Sequence, residues 1–366
     1  MTKSLAYYID DEEEKALKAA DLLNKVDGLE VRYLRPPADL SLKDIADDAQ
    51  LFFVDWELDS KEKVPEGVIP ATYKGSTFAQ RLREAFTDRP VVLVTRDDLL
   101  NERSRRRYVQ AQRIFDIFIP KGEMLDQPEE VVQKAQILIN GFARLREVEK
   151  NWNGFLQALQ AVGTEGISVG EAAVPMESAG KGDWTWEVLD ISKWIHDVLF
   201  EFPGILYDSL HAATFLGISE EAFCVQEVQN LFVEARYSGA FAPPEGRWWK
   251  SRLRSSALDL MDKVDVEGDV NSYFADAFEK KYSQPLARSQ CNTSGQSPAD
   301  WVCFVCKEPV KINYSLLYHP DSRPVVMDDA RVSFKAIRES NNVFENYFPA
   351  SSRSLIEQIR DGEEND

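Results

Sequence analysis

The first 120 residues alternate between short apolar runs and longer segments in which apolar residues recur at helical spacing. The apolar runs are residues 4–9, 51–54, 90–95 and 114–119, and residues 29–34 alternate between apolar and polar positions like a further strand. Runs of consecutive bulky apolar residues are typical of strands that are buried on both faces. Because these runs alternate with helical segments, the pattern predicts an α/β fold, a five-stranded parallel sheet with right-handed crossovers and helices on both faces.

Chemically active side chains follow four of the five predicted strands. Asp10 and Asp11 come after the first strand, and Asp55 ends the third. Thr95 closes the fourth strand, and Lys121 follows the fifth. Open α/β sheets bind their ligands outside the carboxyl ends of the strands. We therefore expect these side chains to share one site, although each of them alone also fits a solvated strand end or the start of a helix.

These residues and their spacing resemble the receiver domain of two-component response regulators. The resemblance covers residues 1 to about 148, roughly 40% of the chain. It implies a flavodoxin-like sheet in which Asp55 is the phosphorylated aspartate and in which Thr95 and Lys121 assist phosphoryl transfer. Phe118, three residues before the lysine, corresponds to the aromatic residue that reports phosphorylation in that family.

The resemblance also implies a cofactor and a partner. Mg²⁺ prefers octahedral oxygen ligation with few protein carboxylates and several waters. The expected ligands are the carboxylates of Asp11 and Asp55 and the backbone carbonyl of Glu57, with Asp10 close by or acting through water. Asp55 would act as a carboxylate nucleophile. Its phosphoryl group would come from a histidine kinase or a phosphotransfer protein.

Two positions depart from the family pattern. Arg96 follows Thr95, where the family usually has a small residue. The arginine could narrow access to Asp55, or it could contact the phosphoryl group. Gly122 follows Lys121, where the family usually has proline. Every chemical group is retained, so we expect an atypical receiver domain that can be phosphorylated.

Beyond residue 148 the pattern predicts a different architecture, and we recognise no family in it. We expect a mainly α-helical domain that ends in a small mixed α/β unit. The expected segments are a linker helix and loop over 149–183, an α-helical output domain over 184–288, a small β-containing unit over 289–350 and an acidic tail over 351–366.

Two features of the chain bear on nucleic-acid binding in opposite directions. The segment Arg247–Arg254 interleaves basic and aromatic residues, which suits stacking and phosphate contacts to single strands. The same segment also fits a helix start whose tryptophans pack inward. The formal net charge of −19 and the pI near 4.7 argue against a general nucleic-acid binder.

A second candidate metal site lies near the end of the chain. Cys303 and Cys306 form a C-x-x-C pair, with Cys291 upstream and His319 downstream. Such a set could bind a tetrahedral Zn²⁺ ion. However, a second paired knuckle is missing, and the apolar neighbours of Cys303 and Cys306 also fit a buried strand. Both interpretations stay open at this point.

Localisation follows from what the sequence lacks. No segment approaches the ~18 consecutive apolar residues of a membrane span. The apolar run at residues 5–9 is too short for a signal peptide. Four cysteines among 366 residues do not make a disulfide framework. We therefore expect a cytoplasmic protein.

The pattern favours a phosphorylation-switched regulator over a turnover enzyme. In this hypothesis the receiver domain changes how the output domain binds an unidentified protein target. A homodimer is the expected assembly. The basic run at 103–107 could pair with acidic residues across a dimer or with the acidic second half of the chain, although it also fits a solvated helix face. The alternatives are a receiver-gated enzyme that acts on nucleic acid or a nucleotide, and a phosphorylation-independent adaptor that uses the receiver fold for dimerisation.

Overall fold

The structure is a computed structural model of the whole chain. It describes residues 3–58, 71–96, 111–161, 163–172, 174–180, 183–319, 327–339, 348 and 350–361. The chain divides into two compact units: a first unit of residues 1–158 and 176–193, and a second unit of residues 159–175 and 194–366. The domain boundaries expected near residues 148, 183, 288 and 350 stay predictions. The basic run at 103–107 lies outside the described residues.

A five-stranded parallel sheet forms the centre of the first unit. Its strands are β1 (Ser4–Ile9), β2 (Leu29–Leu34), β3 (Leu51–Asp55), β4 (Val91–Thr95) and β5 (Phe118–Pro120). The strand order is β2-β1-β3-β4-β5, and every neighbouring pair is parallel. This is the flavodoxin-like order, whose ligand sites lie at the carboxyl ends of the strands. The predicted fold of this part of the chain is confirmed.

Helices cover both faces of this sheet. They are α1 (Glu13–Asn24), α2 (Gly75–Ala85), α3 (Glu123–Asp126) and α4 (Pro128–Glu147). Every residue of β3 and β4 is buried, so neither face of the central strands meets solvent. On one face, Phe78 and Leu82 of α2 pack with Phe52 and Val54 of β3. α1 packs against β2 and α4.

Residues 149–194, which begin with the segment predicted as a linker helix and loop, contain several short elements. These are α5 (Trp152–Leu159), α6 (Thr164–Glu171), β6 (Glu177–Gly180), β7 (Asp183–Thr185) and α7 (Val188–Trp194), with β6 and β7 antiparallel. α4 ends before this segment because Val148 is extended. The Oδ1 atom of Asn151 accepts a hydrogen bond from the Gly154 N–H at 2.9 Å. This bond satisfies an N–H group near the start of α5.

The rest of the second unit is mainly helical, as predicted, with small antiparallel sheets. Its further helices are a π-helix (Ile195–Phe200), α8 (Ser209–Phe215), α9 (Glu220–Phe223), α10 (Gln226–Leu231), α11 (Lys250–Lys263), α12 (Val270–Tyr282), α13 (Phe334–Glu339) and α14 (Arg353–Asp361). The strands pair as β8 (Leu206–Tyr207) with β9 (Trp248–Trp249), β10 (Trp301–Val302) with β11 (Pro309–Val310), and β12 (Ser315–Tyr318) with β13 (Ala330–Ser333). No described helix is long and apolar enough to cross a membrane.

The end of the chain differs from the expected acidic tail. α14 occupies residues 353–361, and its Ile356 and Ile359 are buried. These two residues join the hydrophobic core that contains Val332 and Ile337. Apolar residues three positions apart lie on one face of a helix, which explains why this segment folds against a core. Residues 362–366 lie outside the described part of the chain.

Candidate functional site

The parallel sheet brings the predicted site residues to one edge. Asp55 is the last residue of β3 and pairs with Val94, one residue before Thr95. Asp10 and Asp11 follow β1, whose last residue, Ile9, pairs with Val54. In a parallel sheet, strands in this register end together on the same side. The aspartates therefore meet because of the strand register.

Three buried carboxylates and one lysine form the centre of this site. The carboxylates of Asp10, Asp11 and Asp55 lie within 4.8 Å of one another, and their residues are only 1%, 9% and 5% exposed. Nζ of Lys121 lies 2.9 Å from Oδ2 of Asp10 and 2.9 Å from Oδ2 of Asp55. We call these four residues the aspartate cluster. When all are ionised, one lysine faces three negative charges.

This excess of negative charge changes the proton affinities in the cluster. Burial and the charge of Asp10 raise the pKa of Asp55, Lys121 opposes both effects, and the resulting pKa is about 7. Burial alone would lower the pKa of Lys121, but the carboxylates of Asp55 and Asp10 raise it. Mg²⁺ favours carboxylate oxygens, and a divalent cation would offset the excess charge. The residues present therefore fit the Mg²⁺ ion that the sequence predicts.

Asp10 is held by contacts that the sequence analysis missed. The Tyr8 hydroxyl donates to Oδ2 of Asp10 at 2.8 Å, and the Glu12 N–H donates to Oδ1 at 2.8 Å. Together with Lys121, these groups engage both oxygens of Asp10. Residues two apart on a strand share a face. The tyrosine two positions before Asp10 could therefore have been predicted from the sequence as a neighbour of its carboxylate.

Thr95, Phe118 and Glu57 lie around this centre. Thr95 is 5% exposed at the end of β4, and its carbonyl accepts the Lys121 N–H at 2.7 Å. Phe118 begins β5, pairs with Leu93 and is partly buried. Glu57 is exposed two residues after Asp55. The role of its backbone carbonyl as a ligand stays a prediction.

The two positions that depart from the family pattern also lie beside this centre. Arg96 is 68% exposed, and its Nη2 atom lies 3.9 Å from Oε1 of Glu12, whose side chain is only 10% exposed. Lys15 contacts the same carboxylate at 2.9 Å. In this arrangement Arg96 points to an acidic neighbour at the edge of the site. Gly122 is exposed and has room for a side chain, because the atom nearest to an added Cβ would be Oδ2 of Asp126, at 3.9 Å.

Gly75 fixes the strand end that carries Asp55. The Gly75 N–H donates to the Trp56 carbonyl at 2.8 Å. A Cβ atom at position 75 would lie 1.7 Å from the Asp55 carbonyl oxygen. Only glycine allows the start of α2 to approach the backbone this closely. Gly75 is therefore a positioning residue for the cluster.

The cysteines near the chain end do not form a comparable group. Among the described residues, the three aspartates are the only set of three or more metal-ligating groups close enough to share an ion. Cys303 is fully buried, and its Sγ accepts the Ser333 N–H at 3.3 Å. Sγ of Cys306 accepts from Nδ2 of Asn292 at 3.3 Å. His319 is exposed.

The aromatic residues of the basic segment are not available for stacking. Trp248 and Trp249 form β9 and are 3% and 0% exposed. Trp248 packs edge-on against Phe223, and Trp249 packs against Tyr237. The inward-packing interpretation therefore holds for these two residues. The alternative that this segment binds single-stranded nucleic acid therefore lacks exposed tryptophans on which bases could stack.

No protein-family model matches the chain, and no curated protein matches it in sequence. Among solved structures, a CheY-like response regulator receiver domain protein from Methanospirillum hungatei is 14% identical, with 39% of this chain and 98% of that chain covered and a TM-score of 0.30. The signal receiver domain of a putative LuxO repressor protein from Vibrio parahaemolyticus is 8% identical, with 39% and 94% covered and a TM-score of 0.29. The beryllofluoride-activated receiver domain of DrrB from Thermotoga maritima is 16% identical, with 38% and 98% covered and a TM-score of 0.28. The resemblance to receiver domains covers about 148 N-terminal residues, and the rest of the chain is unmatched.

Proposed function

We propose that the first unit is a receiver domain whose Asp55 accepts a phosphoryl group and thereby regulates the second unit. One observation carries this proposal. Lys121 lies 2.9 Å from the carboxylates of both Asp10 and Asp55, inside a buried group of three aspartates at the edge of a parallel sheet. An acidic centre with one lysine suits the binding of a phosphoryl group together with a divalent cation.

In the proposed reaction, a carboxylate oxygen of Asp55 attacks phosphorus. Oδ2 of Asp55 accepts from Lys121, which leaves Oδ1 as the attacking oxygen. A new O–P bond forms as the bond from phosphorus to the donor breaks. When the donor is phosphohistidine, the leaving imidazole takes up a proton. Lys121 stabilises negative charge on the transferred group, and the product is an acyl phosphate on Asp55.

Mg²⁺ is the proposed cofactor. Asp11 and Asp55 would hold the ion, with Asp10 acting through water because the protein engages both of its oxygens. When bound, the ion would neutralise charge on the phosphoryl oxygens. The chain itself supplies a buried, preformed carboxylate set and positions it through strand register.

The proposed switch passes through Thr95 and Phe118. Both lie on strands that border the cluster, β4 and β5. We propose that the Thr95 hydroxyl donates to a phosphoryl oxygen and that Phe118, which is partly buried, then repacks. Phosphorylation would shift a pre-existing equilibrium between two arrangements of this face.

A histidine kinase or a phosphotransfer protein is the proposed phosphoryl donor, and a protein is the proposed target. The burial of Trp248 and Trp249 supports a protein target over single-stranded nucleic acid. A homodimer stays a prediction.

Phosphoryl transfer from acetyl phosphate tests this proposal. The purified chain is incubated with acetyl phosphate and Mg²⁺, and its intact mass is measured. We expect the mass to increase by one phosphoryl group for the wild type, and no increase for Asp55→Asn. Asp126→Asn is the matched control, because Asp126 is exposed on α3, and it should gain the group as the wild type does. Equal labelling of Asp55→Asn and wild type would refute the proposal.

A further inference from the structure

The second unit contains a cavity of about 210 Å³ that the proposed phosphorylation does not use. Its lining comes from the end of the π-helix at Phe200, from the start of α8 at Asp208 and His211, and from the region of β10 at Trp301 and Phe304. π-Helices are rare and occur frequently at functional sites. One wall of the cavity is therefore the end of a π-helix, an element that often occurs at binding sites.

Arg247 brings an available positive charge to this cavity. Its guanidinium lies 6.0 Å from the centre of the Phe200 ring, and Nη1 donates to the Gly246 carbonyl at 3.2 Å. Among the described residues, it forms no ion pair within 4.0 Å. A planar guanidinium binds carboxylates through two parallel hydrogen bonds. Arg247 therefore suits the carboxylate of a small ligand.

His211 offers a second polar contact. Its Nδ1 atom lies 2.8 Å from Oδ1 of Asp208, and its ring stacks on Tyr207 at 6.0 Å. Burial alone would raise the pKa of Asp208, but the hydrogen bonds from His211 and the charge of Arg247 lower it to about 2. An ionised Asp208 fixes the orientation of the imidazole. The other ring nitrogen has no partner among the described residues and remains available to a ligand.

The remaining charges in the lining are Lys307, whose Nζ lies 4.7 Å from the centre of the Phe304 ring, and three carboxylates. Asp328 is engaged by Nζ of Lys250 at 2.6 Å and by the Tyr207 hydroxyl. The exposed carboxylates at the rim are those of Glu201 and Asp329. A ligand in this cavity would therefore meet a guanidinium and carboxylates within one small space.

The size and the aromatic lining restrict the ligand further. A cavity of about 150 Å³ holds benzene, whereas pockets for drug-sized ligands begin at about 300 Å³. A volume of about 210 Å³ suits one flat ring with a few further atoms. The rings of Phe200, Trp301 and Phe304 offer apolar surface to such a ring.

We propose that this cavity binds a free aromatic α-amino acid. Its carboxylate would pair with Arg247, its ammonium group with Glu201, and its ring would pack against Trp301 and Phe304. The second unit would then respond to a small molecule as well as to the state of Asp55. This proposal does not depend on phosphorylation, because every residue it uses belongs to the second unit.

Isothermal titration calorimetry on the full chain tests the proposal. The probes are L-phenylalanine, L-tyrosine and L-tryptophan. Three further probes each lack one recognised group: 3-phenylpropanoate lacks the ammonium, 2-phenylethylamine lacks the carboxylate, and L-alanine lacks the ring. We expect at least one aromatic amino acid to bind, and each deficient probe to bind about tenfold or more weakly. Failure of all three aromatic amino acids to bind would overturn the proposal.

Variants then locate the binding site. Arg247→Met should weaken binding about tenfold or more, because it removes a charge-assisted contact. The matched control is Arg254→Met, since Arg254 is exposed on α11 and does not line the cavity. Glu201→Gln, at an exposed position, should weaken binding of the amino acids and leave 3-phenylpropanoate unaffected. Unchanged binding by both cavity variants would overturn the proposal.

Labelling of Asp55 by acetyl phosphate should be the same in all of these variants. This readout separates a failure of the proposed amino-acid binding from a failure of the proposed phosphorylation.

Discussion

Two regions of this molecule carry groups that could ligate a metal, and the two regions differ in how close together those groups lie. The aspartate cluster collects three acidic side chains within 4.8 Å. The cysteine group, Cys291, Cys303 and Cys306 with His319, forms no such set among the described residues. The difference lies in what places the side chains. Strand register holds the aspartates together, whereas Cys303 and Cys306 interact with each other and with nearby polar groups such as the Ser333 N–H and the Asn292 side chain.

The local contacts of the cysteines are with neutral donors. Burial alone would raise the pKa of Cys291, but the Ser294 hydroxyl and the backbone N–H groups of Lys311, Ser294 and Thr293 lower it. Burial and the neighbouring Cys303 together raise the pKa of Cys306 to about 11. Metals bind the thiolate, so a raised pKa disfavours Cys306 as a ligand. Among the described residues only the aspartates lie close enough together to share an ion, and the zinc site at the cysteines stays a prediction.

The strongest way to test this comparison is to remove one charge from the aspartate cluster. Asp55 has a pKa of about 7 in the folded protein against an ordinary value of 3.8. Because the folded-state pKa is raised, ionising Asp55 destabilises the fold, and this cost grows as the pH rises from about 4 to about 7. We expect Asp55→Asn to raise the free energy of unfolding by about 2–4 kcal/mol near pH 8 in the absence of Mg²⁺.

Urea unfolding at several pH values, with and without Mg²⁺, measures this effect. The gain should shrink towards about pH 4, and Mg²⁺ should stabilise the wild type more than the variant. The exposed control Asp126→Asn should change stability by no more than about 0.5 kcal/mol at any pH. A gain for Asp55→Asn that is the same at every pH would show that its charge is not the cause.

A smaller effect is expected from the glycine that holds the strand end. A Cβ atom at position 75 would overlap the Asp55 carbonyl, so Gly75→Ala should lower the free energy of unfolding by about 1–3 kcal/mol. It should also weaken Mg²⁺ binding, because Asp55 would move. Gly122→Ala is the matched control: it lies beside Lys121 and has room for a Cβ atom. Equal effects of the two substitutions, measured by urea unfolding and Mg²⁺ titration, would contradict the positioning role of Gly75.

The smallest effect should come from the cysteine group. Cys303 is fully buried in an apolar core, so Cys303→Ala should cost about 1–2 kcal/mol through lost packing. The exposed Cys224 provides the control Cys224→Ala, which should be nearly neutral. A chelator should leave the stability of both variants and of the wild type unchanged when Mg²⁺ is absent. If elemental analysis finds one zinc per chain and Cys303→Ala loses it, the cysteines do bind a metal, and the proposed difference between them and the aspartate cluster is wrong.

The regular part of the first unit could be predicted because its pattern is local. Consecutive apolar residues such as Leu51 to Val54 mark buried strands, and alternation with helices leaves few arrangements of the sheet. The position of Asp55 at a strand end follows from the same pattern. The close approach of Gly75 to Asp55 depends on residues 20 positions apart, and no local pattern reports such a contact.

The second unit was less predictable because tertiary contacts decide its elements. Trp248 and Trp249 look like a basic, aromatic surface in the sequence, yet both are buried against distant aromatic rings. The acidic residues within 361–366 dominate the composition of the chain end, yet Ile356 and Ile359 of α14, just before them, pack into a core. In both cases average composition pointed to the surface, while burial was decided by a few apolar side chains.

The most direct measurement of the central claim identifies the residue that carries the phosphoryl group. The chain is treated with acetyl phosphate and Mg²⁺ and then with borohydride, which reduces an aspartyl phosphate to homoserine, and its peptides are sequenced by mass spectrometry. We predict homoserine at position 55, its loss when Mg²⁺ is chelated, and none at Asp10 or Asp11. Conversion at another aspartate, or no conversion at position 55 despite Mg²⁺, would contradict the assignment of Asp55 as the phosphoacceptor.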